Sequence, residues 1–394
     1  MAKIERIDTA HLLFEYERGF RYAGGRCTAR MTSLAFVHTA DGRCGVGAAY
    51  SHPGMVELTI KGQLEPILIG MDPSDPERLW ELMYRLTRWY GRKGAAISSI
   101  GAVDTALWDL KGQELGKPLH ALFGTASSCP AYASALLWDA PENLAAEAKA
   151  HVAAGFTRMK TRLGRSPAED ERVVQAIREA IGPACDLLVD GSMRYTVASA
   201  KRIAAMLEAH DVFWFEEPFE PEELDRYCEL RAQVDVPLAA GENEFGSQGF
   251  GELMHRRAVD IVQPDASRCG GVTELRRIVA AAERNGLRAA THTWSDAVAI
   301  LANAHVIGPA ANGVTVEIDR TGNPFVDELL EQPLEIENGK LILPSTPGLG
   351  ANVRPDILEQ FRLDPFAIPP GLYSDMAFGA GSLQPAPPYP HDEA

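Results

Sequence analysis

From about residue 127 onward, short apolar runs recur along the chain. Each ends on a polar or charged residue and gives way to a helical pattern. YASALL (132–137) leads into a helix over Glu142–Ala154 that opens with Pro141. FTRMKTR (156–162) leads into a helix over Ala168–Ile181. The next three runs end at Asp190, at Glu216 and near Glu242. AVDIVQPD (258–265), LRAATHT (287–293) and GVTVEID (313–319) complete the series, and the Ala-rich AVAILANAHVIGPA after the seventh run is helical by propensity. The strand-end residues Lys160, Asp190, Glu216, Glu242, Asp265, His292 and Glu317 are 30, 26, 26, 23, 27 and 25 residues apart. Such an interval holds one strand, a loop, one helix and a second loop. Parallel strands connected in this way close into a (β/α) barrel whose C-terminal strand ends share one face.

Residues 1–126 lack that rhythm. Met31–Thr39 and Val46–Tyr50, joined by Asp41-Gly42-Arg43, predict an antiparallel hairpin. Helical patterns follow over Pro76–Tyr90 and Ser98–Leu115, the second stopping before Gly116 and Pro118. Strands followed by helices predict a separate α+β domain. Before the first long strand, GFRYAGGR (19–26) reads as a Gly- and Arg-rich loop. It is either a plain turn or a mobile lid in which Tyr22 and Arg26 select the substrate. Beyond residue 325 the chain is expected to fold back on the N-terminal domain, and PAPPYPHDEA (385–394) reads as a frayed, flexible tail. The division is therefore 1–126, 127–325 (the barrel) and 326–394.

Composition narrows the function classes. The formal charge is 38 − 54 = −16, which argues against a nucleic-acid or anionic-membrane partner and favours a soluble, cytoplasmic protein. The cysteines at 27, 44, 129, 185, 228 and 269 include no C-x-x-C pair, as expected of reduced thiols rather than a disulfide framework or zinc site. MAKIERIDT has no apolar signal-peptide core.

The strand-end residues carry the chemistry. Asp190, Glu216 and Glu242 recur at barrel spacing. Three anions cannot share one spot without a cation, so a divalent metal with hard oxygen ligands is the first hypothesis. Within FEEP, neighbouring strand residues face opposite ways, and Glu216 is the inward choice because Glu217 adjoins Pro218. His292 ends one strand and Asp265 the strand beside it. A carboxylate on one ring nitrogen fixes the tautomer and frees the other to move a proton. Lys160 and Arg162 alternate, so both face the same way, where a metal-bound acid and the carboxylates would offset their charge. Glu317 is placed to hydrogen-bond a substrate oxygen as it gains charge.

Together DGSMRY, WFEEP, AAGENE, VQPD, THTW and the strand-two KTR resemble the enolase superfamily, mandelate racemase subgroup. AISSIGAVDTALWDLKGQELGKPLHALFG (96–124) is similar to that family's capping segment. The resemblance implies a modified TIM barrel, (β/α)7β, with an N-terminal α+β capping domain completed by the C-terminal segment. It implies Mg2+ held by Asp190, Glu216 and Glu242, abstraction of the proton next to a carboxylate, and a homo-oligomer. The subgroup's strand-two pattern is usually Lys-x-Lys, whose second lysine is a base facing the histidine. Here that position is Arg162, which practically cannot deprotonate.

These readings lead to an Mg2+-dependent acid-sugar dehydratase, with His292 as base and acid and Asp265 orienting it. Lys160 and Arg162 would bind the substrate carboxylate or support the enediolate. A racemase, epimerase or lactone cycloisomerase using the same enediolate is the second expectation, and a non-catalytic binding protein on the same barrel the third.

Overall fold

The computed structural model describes residues 2–23, 25–368 and 389–390. Strands β1 (Ile4–Tyr22), β2 (Gly25–Thr39) and β3 (Cys44–Ala49) form an antiparallel sheet. β2 and β3 are the predicted hairpin. The expected loop at 19–26 is instead the end of a long β1–β2 hairpin, with Tyr22 opposite Gly25. Gly19 explains why the sequence reads as a loop there. It has φ +60, and a Cβ on it would lie 2.4 Å from the Cys27 carbonyl oxygen, so the strand pinches with a register shift between Glu15 and Phe20.

Helices Pro76–Thr87 and Ala95–Leu115 lie close to their predicted positions. The second is buried along nearly its whole length because β3 meets it through glycine. A Cβ on Gly45 or Gly47 would come within 2.1 Å of a helix carbonyl, at Ala106 and Ala102 respectively. The sheet can therefore lie directly on the helix backbone.

Eight parallel strands close the barrel: β4 (Ser128–Ser134), β5 (Arg158–Arg162), β6 (Asp186–Asp190), β7 (Val212–Glu216), β8 (Leu238–Ala240), β9 (Ile261–Val262), β10 (Arg288–Thr291) and β11 (Gly313–Asp319), with β11 pairing back onto β4. Inside it, Tyr132, Leu188, Trp214, Ala239, Ile261 and Ala290 form a packed apolar plug, so chemistry is confined to the strand ends.

The cap is bolted to that end. Asp104 accepts from the Thr273 backbone N–H (2.8 Å) and hydroxyl (2.6 Å), Trp80 Nε1 donates to the Gly270 carbonyl (2.7 Å), and the Thr32 hydroxyl donates to Asp296 at 2.5 Å. Beyond residue 325 the chain meets residues 1–126 at the Leu12–Arg362 and Pro118–Gly348 bridges. Part of it stays with the barrel, since β12 (Ile336–Glu337) pairs with β13 (Lys340–Ile342), which pairs with β4. The expected frayed tail falls mostly outside the described residues. Tyr389 departs from it: its ring is buried against Tyr195 and its hydroxyl donates to Asp170 at 2.8 Å. Among the described residues, no helix is long and apolar enough to cross a membrane.

Candidate active site

Strand register assembles the centre. Arg162 pairs with Asp190 and Asp190 with Glu216, so three adjacent strands place these side chains in one row at the barrel mouth. Lys160, one step below Arg162, points into the barrel and is fully buried. Its Nζ lies 2.7 Å from Glu216 Oε1, 2.9 Å from Glu317 Oε1 and 3.9 Å from Asp190 Oδ2. Burial opposes its charge, but Glu216 and Glu317 outweigh that and hold the ammonium above the ordinary lysine value. Lys160 is thus held as a cation by its two acid partners.

Arg162 keeps an unused donor. Its Nε is 3.3 Å from Asp190 Oδ2 and its guanidinium lies 4.2 Å over the Trp294 ring, while the buried Nη1 has no hydrogen-bond partner among the described residues. A buried N–H without an acceptor is costly, and a substrate oxygen would supply one.

His292 and Asp265 meet as the spacing predicts. Nδ1 of His292 is 2.9 Å from Asp265 Oδ2, and both residues are buried. The other oxygen of Asp265 accepts from the Ser267 backbone N–H and hydroxyl (both 2.8 Å) and from Asn303 Nδ2 (3.2 Å). Asn303 also donates to the His292 carbonyl (3.1 Å) and so ties both strand ends together. His292 Nε2 is left towards the mouth, 3.8 Å from Glu242 Oε2. The Tyr50 ring stacks on the imidazole with centroids 6.1 Å apart. Glu317 accepts from the Thr293 N–H at 2.9 Å, and although burial opposes its ionisation, Lys160, His292 and Arg162 keep it anionic, with a pKa of about 2.

Glu217 was missed by strand alternation. It is buried as fully as Glu216, because at φ +35 the backbone leaves the strand and swings the side chain sideways. There its Oε2 accepts from Asn243 Nδ2 at 2.8 Å. Glu216 points inward as expected and accepts from Trp214 Nε1 (3.0 Å) and Gln263 Nε2 (2.8 Å) besides Lys160. Gln263 and Trp294 had a signal in the sequence, since they alternate with Asp265 and His292. Arg26 is not brought to the centre: it is exposed and its Nη2 donates to the Arg18 carbonyl at 2.6 Å. Tyr22 is half-buried at the hairpin tip.

Among the described residues, no three His, Cys, Asp or Glu side chains close into a metal cage as they stand. The protein's own cations, Lys160 and Arg162, lie among the acids. Even so, the donor set fits a hard divalent cation. Asp190, Glu216, Glu217, Glu242, Asp265 and Glu317 outnumber Lys160, Arg162 and His292. Burial first, and then repulsion from Asp190, Glu242 and Glu317, holds Glu216 above the usual carboxylate range despite Lys160. A dication relieves that excess, and a carboxylate oxygen with one protein donor, such as Glu216 Oε1, keeps a second lone pair for it.

Comparison with known proteins agrees with this construction. Residues 21–124 match the mandelate racemase/muconate lactonizing enzyme N-terminal domain, and residues 143–357 the enolase C-terminal domain-like family. The chain is 34% identical to D-galactarolactone cycloisomerase of Agrobacterium fabrum, over 92% of this chain and 99% of that protein. It is 34% identical to arabinonate dehydratase of Saccharolobus solfataricus, over 83% and 89% of the two chains. Among solved structures, L-talarate dehydratase from Polaromonas sp. JS666, complexed with Mg and L-glucarate, superposes with a TM-score of 0.84 at 28% identity, over 92% of this chain and 98% of that one. With its cap, its barrel and the row of strand-end residues, this chain belongs to the mandelate racemase/muconate lactonizing enzyme family of the enolase superfamily.

Proposed function

We propose that the protein is an Mg2+-dependent acid-sugar dehydratase, converting a sugar acid to its 2-keto-3-deoxy acid. One observation carries the reading: a histidine positioned by an acid stands on one side of the mouth, and the lysine on the other side is committed to two acids. His292 is held by Asp265 with Nε2 towards the mouth. Opposite it stand Arg162, which does not deprotonate, and Lys160, which Glu216 and Glu317 lock as a cation. Racemisation needs a base on each face of the carbon, whereas elimination needs one.

Asp190, Glu216 and Glu242 would hold the metal. When bound, Mg2+ stabilises the negative charge that develops on the substrate's carboxylate end. His292 Nε2 removes the proton on C2, and Asp265 supports the imidazolium through Nδ1–H. The same Nε2–H then protonates the hydroxyl leaving C3 as water, and the resulting enol takes a proton at C3 to become the keto acid. Arg162 binds the substrate carboxylate through its free Nη1, and Glu317 accepts from a substrate hydroxyl. The likeness to arabinonate dehydratase and L-talarate dehydratase supports this class.

A second reading is lactone cycloisomerisation, favoured by the likeness to the galactarolactone enzyme. It uses the same single base, but the group leaving C3 is the lactone's own carboxylate. A stereochemically complete set of aldonates, aldarates and their lactones, assayed for keto acids, tests both. Keto acid from an open-chain acid supports the dehydratase and keto acid only from a lactone supports the cycloisomerase. Keto acid from neither sinks both.

A further inference from the structure

Trp294 carries two guanidinium groups. Arg162 lies 4.2 Å over its ring and Arg30, from the cap strand β2, lies 4.0 Å over it. The indole therefore touches both guanidinium groups and links them. Both arginines are also paired with an acid, Arg162 with Asp190 (3.3 Å) and Arg30 with Asp319 (3.2 Å).

Arg30 is only 2% exposed; its Nη2 also donates to the Thr321 hydroxyl at 3.1 Å, and further contacts come from the β1–β2 hairpin. Its guanidinium lies 5.3 Å from the Phe20 ring and 5.9 Å from the Tyr16 ring, and its Nη1 donates to Cys27 Sγ at 3.4 Å. Phe20 itself meets Trp294 edge-on at 6.3 Å, and the Tyr16 hydroxyl is 3.0 Å from the Thr321 hydroxyl. The hairpin tip reaches the barrel as well, where the Trp138 N–H donates to the Arg21 carbonyl at 3.0 Å. One continuous stack thus runs from the hairpin through Arg30 and Trp294 to Arg162, whose Nη1 is one of the donors at the centre that lack a partner among the described residues.

We propose that Arg30 is a positioning residue: through Trp294 it sets the aim of Arg162, so that the carboxylate-binding donor is in place only when the β1–β2 hairpin is seated. The proposal rests on the reading of Arg162 as the ligand of the substrate carboxylate. It makes the hairpin part of the binding machinery through its root at Arg30, with no contact between substrate and Arg26.

The test is a double-mutant cycle read by calorimetric binding of meso-tartrate in the presence of Mg2+. Arg30→Met weakens binding about tenfold, the scale of a desolvated cation–π contact. Arg162→Met weakens it at least as much, and the double variant is no more than about threefold worse than Arg162→Met, because Arg30 acts only through Arg162. Arg30→Lys, which keeps a cation over the ring, stays within about threefold of the parent. An undiminished Arg30→Met effect in the Arg162→Met background, or wild-type binding by Arg30→Met, overturns the proposal. If Arg30→Met does not fold, Trp294→Leu replaces it in the same cycle. A second readout needs no substrate. In 15N-arginine-labelled protein, the guanidinium resonance absent from Arg162→Met moves or broadens in Arg30→Met, and an unchanged resonance also overturns the proposal. Failure of the acid-sugar reading shows separately, as no meso-tartrate binding by the parent while the resonance still reports the coupling.

Discussion

Replacing Asp265 by Asn tests the proton path with almost no change of shape. Oδ1 of Asp265 receives three donors, the Ser267 N–H, the Ser267 hydroxyl and Asn303 Nδ2, whereas Oδ2 faces only His292 Nδ1. An amide at this position keeps its oxygen where the three donors converge, because turning the NH2 there would set N–H against N–H. The NH2 group therefore faces Nδ1 and donates to it. Nδ1 becomes an acceptor, the ring proton moves to Nε2, and the atom that must take the C2 proton is already protonated. Loss of a positioned base costs about 10²–10⁴ in kcat, or about 3–5.5 kcal/mol of barrier. KM changes little, since Asp265 lies behind His292. The assay is keto-acid formation under saturating substrate, alongside solvent-deuterium exchange at C2 and a melting curve. A folded Asp265→Asn protein with kcat within threefold of the parent would refute the assignment.

Three further outcomes are expected. Glu216→Gln abolishes calorimetric Mg2+ binding, whereas Glu217→Gln, bonded to Asn243 beside the cluster, weakens it about 10–100-fold; the reverse order would move the ligand to Glu217. Lys160→Met leaves Glu216 and Glu317 as uncompensated buried anions and destabilises the fold by about 3–5 kcal/mol in urea titration, and an unchanged midpoint contradicts the locked-cation account. His305 is buried and accepts at Nδ1 from the His120 N–H (3.0 Å) while Nε2 faces the Leu349 carbonyl (2.9 Å), and burial lowers its pKa from 6.5 to about 3. The unfolded chain takes up that proton first, so the stabilisation is complete above pH 6.5 and is lost as pH falls towards 3. His305→Gln should therefore flatten the decline of Tm between pH 6.5 and 4, and parallel curves would refute the linkage.

The barrel and its row of strand-end residues were legible because the βα repeat has a nearly fixed length. Spacing alone carried Asp190 and Glu216 to strand ends, and Asp265 and His292 to a 2.9 Å contact. Alternation failed at Glu217, where a positive φ gave a second buried carboxylate an orientation no strand period describes. The β1–β2 hairpin was hidden by its own glycines, which read as a loop until the pairing of Tyr22 with Gly25 showed an extended arm. Arg30 had no local signal at all, since its partners Trp294 and Asp319 lie on barrel elements distant in sequence. Tyr389 was hidden by the proline-rich composition around it, although its own ring is buried.

The most direct measurement is turnover in D2O with Mg2+, followed by proton NMR, over the set of open-chain aldonates and aldarates. Dehydration through a single histidine base predicts a 2-keto-3-deoxy acid carrying one deuterium at C3, with loss of water, and no product from His292→Asn. Deuterium entering C2 with inversion of configuration and every hydroxyl retained would instead reveal a second base facing His292, and would contradict the account.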